Sequence, residues 1–186
     1  MLLLPLKYFK FLSNYIQIHI KTNKSLSKRS CYKNELTVCT VSPVFQLLMK
    51  FFKYSSLFQA VSLVDIVACD YTNVINRFGI TYLVYSQAKS ARLYIRVCAD
   101  IFVFLKSLSS LFLAATWLER EVYDMFGLFF FENYDLRRIL LDYGFNGFPL
   151  QKDFPVVGFV EKQYILSENI ILSRPVVFTQ EFRFII

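Results

Sequence analysis

The densest set of side chains able to do chemistry lies between Trp117 and Gly127, in the run Trp-Leu-Glu-Arg-Glu-Val-Tyr-Asp-Met-Phe-Gly. On a helix, Trp117, Glu121 and Asp124 share a face, at i, i+4 and i+7, and Arg120 stands four residues before Asp124, in reach of an ion pair. Two carboxylates on one face, Glu121 and Asp124, could divide acid and base roles between them. No nucleophile, histidine or metal-ligand cluster follows nearby to complete a catalytic site. The preferred reading is therefore an ion-pair network that fixes this helix against Arg137, Arg138 or a partner's arginine.

A second charged patch, Asp135-Leu-Arg-Arg-Ile-Leu-Leu-Asp142, places Asp135 and Arg138 at i, i+3, and Arg138 and Asp142 at i, i+4. Adjacent arginines, Arg137 and Arg138, suit bidentate capture of a carboxylate or phosphate, but no phosphate-cradling glycine loop accompanies them. Gly144 and Gly147 suggest tight turns instead. A third patch, Pro149-Leu-Gln-Lys-Asp-Phe-Pro155, adds Lys152 and Asp153, with Phe154 biased to extended backbone by the proline after it.

Metal and redox chemistry find little support. The four cysteines, Cys31, Cys39, Cys69 and Cys98, contain no C-x-x-C pair, and the only histidine is His19. Structural zinc and iron–sulfur sites need clustered soft ligands, so no metal is expected in this chain. Scattered cysteines in apolar surroundings behave as small hydrophobes, which argues against a disulfide framework.

The elements that must position these patches follow from pattern. Residues 1–34 form a basic arm: Lys7, Lys10, Lys21, Lys24, Lys28, Arg29 and Lys33 all precede the first acid, Glu35, in a chain of net charge +7. Such an arm could bind nucleic acid, anionic lipid or an acidic partner, although no nucleic-acid-binding motif accompanies it. Met1 to Leu12 could pass for a weak targeting sequence, without a small-residue cleavage site after it.

Glu35 to Val41 alternates like a strand. Ser42 as N-cap and Pro43 at the first helical position predict a helix to about Tyr54-Ser55, with Val44, Leu47, Leu48 and Phe51 inward and Lys50 and Lys53 on the other face. Three strands are expected at Leu63 to Asp70, Ile80 to Tyr85 and Leu93 to Val97, their short connections favouring antiparallel pairs. Asp100 to Lys106 is ambiguous and could be helical; Ser109 or Ser110 caps a helix from Leu111 to Phe126, ended by Gly127 in the left-handed region.

The expected fold is α+β: a small mixed or antiparallel sheet with helices on one face, in a domain spanning 35–127. Residues 128–186 lose helical periodicity but stay apolar, so they read as an extended tail that wraps a partner. An apolar content of 55%, with 21 Phe and 12 Tyr, leaves surface to bury against other chains. The apolar runs Val44 to Ala68 and Ile101 to Leu118 are interrupted by Lys50, Lys53 and Asp65 and by Lys106, and are expected to be buried segments rather than membrane spans.

Order and spacing of the three patches together carry more. Trp117-Leu-Glu-Arg-Glu-x-x-Asp-Met-Phe-Gly127, Asp135-Leu-Arg-Arg-Ile-Leu140, and Asp142-Tyr-Gly-Phe-x-Gly-x-Pro-Leu-x-Lys-Asp-Phe-Pro155 closely resemble the 30-kDa subunit family of respiratory complex I, the NADH dehydrogenase subunit 9 or NuoC type. Leu63-Val-Asp-Ile, Asp70-Tyr, Arg77-Phe, Val84-Tyr and Arg92-Leu resemble that family's strand region, and Gln180-Glu-Phe-Arg183 its terminal motif. Two departures stand out. Asn133-Tyr134 replace the usual His-Pro, and Gly147-Phe-Pro-Leu-Gln-Lys152 replaces the usual Gly-His-Pro-Leu-Arg-Lys.

The resemblance implies a subunit of the peripheral, matrix-facing arm of a proton-pumping NADH:ubiquinone oxidoreductase at the mitochondrial inner membrane. It implies a hetero-oligomer whose chief partner is the 49-kDa subunit, with neighbouring cluster-bearing subunits close by. It implies no nucleic acid, no membrane span and no cofactor in this chain, with FMN and iron–sulfur clusters held by partner subunits. No catalytic residue is expected; Trp117, Glu119, Arg120, Glu121, Asp124, Asp135, Arg137, Arg138, Lys152, Asp153 and Pro155 are expected as structural or partner-interface residues.

Overall fold

The structure, a computed structural model, describes residues 29–32, 35–72, 76–100, 103–178 and 180. Its main sheet has five strands: β1 (Arg29–Tyr32), β2 (Glu35–Thr40), β3 (Ser62–Asp70), β4 (Phe78–Ser86) and β5 (Ala91–Ala99), in the order β1-β2-β5-β4-β3. β2 and β5 run parallel and every other pair is antiparallel, so the sheet is mixed. The three strands after the first helix lie where alternation places them. The sheet also reaches back into the basic stretch, because β1 pairs along β2. The remainder of the basic arm, residues 1–28 and 33–34, and residues 181–183 of the terminal motif lie outside the described residues.

Both helices pack on one face of this sheet. Helix α1 (Ser42–Tyr54) sets Phe45 against Tyr82 of β4 at 4.3 Å between ring centroids. Helix α2 (Ala115–Phe126) sets Phe126 edge-on to Phe78 of the same strand at 6.4 Å. Phe78 and Tyr82 are four residues apart, so they share a face of β4. The inward positions Leu36, Val38, Leu63, Ile66, Ile80, Val84, Leu93, Ile95 and Val97 complete the core. A register shift between Leu63 and Asp65 lets both Leu63 and Ile66 face inward despite their odd spacing.

The helices depart from the sequence reading in detail. Val41 caps α1, Ser42 is already helical and Pro43 lies in the first turn, with no side-chain cap. The buried face is Phe45, Leu48, Met49 and Phe52, whereas Leu47 is exposed. Rotating the helix about one residue buries Phe45 and Phe52, whose rings meet Tyr82 and Phe58. Lys50 is exposed as expected, but Lys53 reaches the Leu111 carbonyl and sits over the Phe112 ring. Helix α2 starts at Ala115, four residues later than expected, and neither Ser109 nor Ser110 caps it. Leu105–Lys106 is not helical. It forms β6, paired in parallel with β7 (Phe130–Phe131). Gly127 ends α2 at φ 75°, its N–H donating to the Tyr123 carbonyl at 2.9 Å.

Beyond β7 the chain runs through turns into a hairpin of β8 (Val160–Ile165) and β9 (Ile170–Pro175), both exposed along nearly their whole length. The weak periodicity of the tail did not announce this hairpin. Among the described residues, no helix is long and apolar enough to cross a membrane.

Candidate functional site

Helix α2 carries two fully buried carboxylates, Asp124 held by the chain that follows it and Glu119 by residues on both sides of it. Asp124 Oδ2 accepts three consecutive backbone N–H groups, from Ile139 (3.1 Å), Leu140 (2.8 Å) and Leu141 (3.0 Å). Its Oδ1 accepts from Arg138 Nη1 at 2.9 Å. Burial by itself would raise this carboxyl; the three N–H donors and the Arg138 guanidinium outweigh it and hold Asp124 below the usual carboxylate range. Arg138 in turn lies 5.0 Å from the ring centre of Phe148.

Glu119 stands five residues earlier, about 140° around the helix from Asp124, and is buried on a different side of it. Oε1 accepts the Leu108 N–H at 2.7 Å, and Oε2 accepts Ser107 Oγ at 2.6 Å and Asn133 Nδ2 at 2.9 Å. Here burial dominates, and Glu119 is pushed up despite those three donors. The capture of Leu108 and Ser107 also explains the late start of α2: residues 107–112 fold back to satisfy Glu119 and bury Leu108 and Phe112. The Tyr82 hydroxyl is buried with no hydrogen-bond partner among the described residues, and its own burial and then the Glu119 charge push its titration upward.

Arg120, also buried, donates through Nε to the Arg137 carbonyl at 3.0 Å and lies 3.8 Å from Asp135. Its guanidinium stacks under the Trp117 ring at 4.7 Å. Asp135 is shared with Arg137, at 3.1 Å. The expected pairs Arg120–Asp124, Asp135–Arg138 and Arg138–Asp142 do not form. Residues 135–138 are not helical, so helical spacing does not apply to them, and Arg138 turns inward to Asp124 instead.

The structure thus joins Trp117, Glu119, Arg120, Asp124, Asp135, Arg137 and Arg138 around α2. It separates Glu121, which is exposed, from Asp124, which is not. Segment 138–141 covers only the C-terminal half of their shared stripe, leaving Trp117 and Glu121 open. An acid–base pair of Glu121 and Asp124 is therefore not assembled.

Lys152 and Asp153 belong to a second junction. Asp70 and Arg77, at the β3–β4 turn, form a two-bonded ion pair, both bonds at 2.7 Å. The Lys152 backbone N–H donates to Asp70 at 2.9 Å, and Arg77 also pairs with Asp153. Arg77 foremost, then the Lys152 N–H, lower Asp70 against the opposing effect of burial. Pro155 is half-buried beside this junction, its carbonyl accepting the Gly158 N–H at 2.9 Å. Between the junctions, Gln151 Nε2 reaches the Phe126 carbonyl at 2.7 Å and the Leu150 N–H the Met125 carbonyl at 3.1 Å, so the tail caps α2.

Sequence reasoning missed Asp70, Arg77, Ser107, Asn133 and Gln151 as members of these networks. Asp70-Tyr and Arg77-Phe entered only as part of a resemblance, since their pairing spans a strand turn. Asn133 was noted as a departure, and here it supplies the Glu119 contact and accepts the Asp135 N–H at 3.1 Å. Phe148, the other departure, packs edge-on to Tyr123 at 6.2 Å, its ring within 2.6 Å of where a Cβ on Gly127 would stand.

The four cysteines sit on four different strands, Cys31 on β1, Cys39 on β2, Cys69 on β3 and Cys98 on β5. Cys69 and Cys98 are separated by Gly79, so by roughly 10 Å across two strand spacings. Among the described residues no group of three His, Cys, Asp or Glu is placed to hold a metal.

The fold defines a class, a known type of α+β domain. It is shared with the Nqo5 trypsin-resistant fragment 1–134 (24% identity, TM-score 0.56, covering 67% of this chain and 98% of that one). It is shared also with a chain of the membrane-bound sulfane sulfur reductase, an archaeal respiratory membrane complex (17% identity, TM-score 0.64, covering 78% and 86%). The family model described as respiratory-chain NADH dehydrogenase, 30 Kd subunit, matches residues 38–160. NADH-ubiquinone oxidoreductase subunit 9 of Dictyostelium citrinum is 39% identical over 163 residues, covering 85% of this chain and 78% of that protein. NADH dehydrogenase [ubiquinone] iron-sulfur protein 3 of Beta vulgaris is 44% identical over 141 residues, covering 76% and 73%. A mitochondrial relative, the probable 30.4 kDa subunit of Candida maltosa, is 36% identical over 160 residues, covering 86% and 58%. The chain belongs to the 30-kDa subunit family of respiratory-chain NADH dehydrogenase, and its partners are other subunits of complex I.

Proposed function

We propose that this chain is a structural, non-catalytic subunit of the peripheral arm of proton-pumping NADH:ubiquinone oxidoreductase, on the matrix side of the mitochondrial inner membrane. In this reading it supports electron transfer from NADH to ubiquinone without holding flavin or iron–sulfur clusters, which reside in partner subunits. Residues 128–186 form the part that lies along a neighbour, chiefly the 49-kDa subunit.

One observation carries this reading. The two buried carboxylates of the family signature, Glu119 and Asp124, are spent on donors of the chain itself, so the densest charged stretch builds a scaffold. The exposed β8–β9 hairpin supports the docking role. Isolated two-stranded hairpins are marginal in water, and this one displays Val160, Tyr164, Ile171 and Leu172 to solvent.

Native electrophoresis of membranes expressing the tagged chain tests the reading: it should migrate in a large NADH-oxidising complex. Deleting residues 159–178 should abolish that migration while leaving the sheet domain folded. A chain that stays outside such a complex would overturn the proposal, as would NADH turnover by the purified chain alone.

A further inference from the structure

Once both junctions close on the chain itself, one face of α2 is left open. Leu113 is 84% exposed, Trp117 63% and Tyr134 79%. Trp117 stands one turn before Glu121 on α2, Leu113 lies two residues ahead of the helix with its carbonyl accepting the Thr116 N–H at 3.2 Å, and the Tyr134 hydroxyl lies 3.5 Å from that of Thr116, so these groups form one patch. A stray exposed tryptophan would have no fixed posture. This one stacks on the buried Arg120 guanidinium, itself held by the Arg137 carbonyl and Asp135. A large ring held rigid before binding loses little freedom on being covered, and Trp, Tyr and Arg are the usual anchors of protein interfaces.

The charge of the patch says what covers it. Glu119, Asp124 and Asp135 all have donors or cations of their own. Glu121 alone among the acids of this region is exposed and makes no hydrogen bond or ion pair with any described residue. Although the chain carries net +7, the uncommitted charge beside Trp117 is negative. An anionic lipid surface would be repelled there, while a basic protein segment would be drawn to it.

Resting on the reading of the chain as a complex subunit, we propose that Leu113, Trp117, Glu121 and Tyr134 form a docking surface for a segment of another subunit, one that covers the two apolar side chains and sets a lysine or arginine against Glu121.

The test uses the assembled complex. A photo-crosslinking residue placed at Leu113 should capture a different polypeptide, through a peptide with a basic residue among apolar ones. Trp117→Ala and Glu121→Lys should each cut incorporation roughly tenfold or more when the chain is limiting, and reversing the captured cation should restore the Glu121→Lys variant. Glu121 is exposed and makes no hydrogen bond or ion pair with a described residue, so that variant should leave folding intact. Capture only of lipid, of a second copy or of the chain's own basic arm would overturn the proposal, as would normal incorporation of both variants. Failure of the unaltered chain to migrate with the NADH-oxidising complex would instead overturn the reading on which it rests.

Discussion

Two junctions fasten the chain after α2 to the sheet domain, and they use the same parts differently. At the inner one a buried helix aspartate, Asp124, receives three tail N–H groups and the tail's own Arg138. At the outer one the ion pair, Asp70 with Arg77, is complete within the domain before the tail arrives. The tail adds one N–H and one carboxylate, Asp153, which is 65% exposed. The inner aspartate therefore depends on the tail for all four of its hydrogen-bond donors, and the tail depends on it. The outer aspartate keeps its arginine either way. A buried charge that loses its partners costs far more than an exposed pair that dissolves into water, so the two junctions should differ widely in strength.

Asp124→Ala is the harshest test of that difference. It leaves Arg138 and three N–H groups at a buried site without an acceptor, and should destabilise the protein by about 3–5 kcal/mol. The measurement is the urea midpoint followed by circular dichroism. A loss no larger than that of a surface substitution would mean that water replaces the carboxylate and that the junction is not closed.

The inner junction also rests on Gly127. Its φ of 75° favours glycine, and a Cβ there would stand 2.6 Å from the Phe148 ring. Gly127→Ala should cost about 1–3 kcal/mol through backbone strain together with displacement of that ring. The companion variant Phe148→Ala in the Gly127→Ala background should recover part of the ring clash. Equal and additive losses would show that only the backbone matters.

How much of this was legible depended on how local each cause is. The sheet was readable because alternation in Ala91–Ala99 or Phe78–Ser86 is written in each strand. Gly127 was readable because a left-handed stop needs one residue type. The buried face of α1 was misplaced because Val44 and Phe51 match the helical period as well as Phe45 and Phe52 do, and only Tyr82 and Phe58, from other elements, decide between them. Ser109 looked like a cap, but its hydroxyl and N–H engage Ser107, drawn in by Glu119. The charged patches were recognisable as a network, yet partner choice was not. By spacing alone Arg138 could face Asp135 or Asp142, and only the fold of segment 135–141 turns it to Asp124.

The two carboxylates of α2 sharpen the comparison through pH. Asp124 and Asp70 are held below their ordinary values, so their stabilisation is present above the unfolded value of about 4 and is lost as pH falls through the lower folded value. Glu119 is shifted the other way. Its contribution is full below its unfolded value of about 4.3 and is lost as pH rises through the raised folded value. Glu119→Gln, which keeps the shape but mismatches one donor, should therefore cost about 1–2 kcal/mol near its unfolded value and progressively less toward neutral pH. Urea midpoints of both proteins across that range decide it; a penalty that grows with pH would mean that Glu119 is held ionised by its donors.

The smallest effect belongs to the outer junction. In Asp153→Asn the Arg77–Asp70 pair survives untouched, and the Lys152 N–H still has its acceptor. What is removed is one exposed carboxylate beside a guanidinium that already has a better partner. Such a contact contributes about 0–1 kcal/mol, and salt should erase the difference between the two proteins, since screening acts on exposed pairs far more than on buried ones. Thermal melts at low and high ionic strength measure this directly. A salt-insensitive loss comparable to that of Asp124→Ala would mean that Asp153 is covered when the tail is fully seated. The outer junction would then have to be counted as a second inner one, holding residues 149–155 as firmly as Asp124 holds residues 138–141.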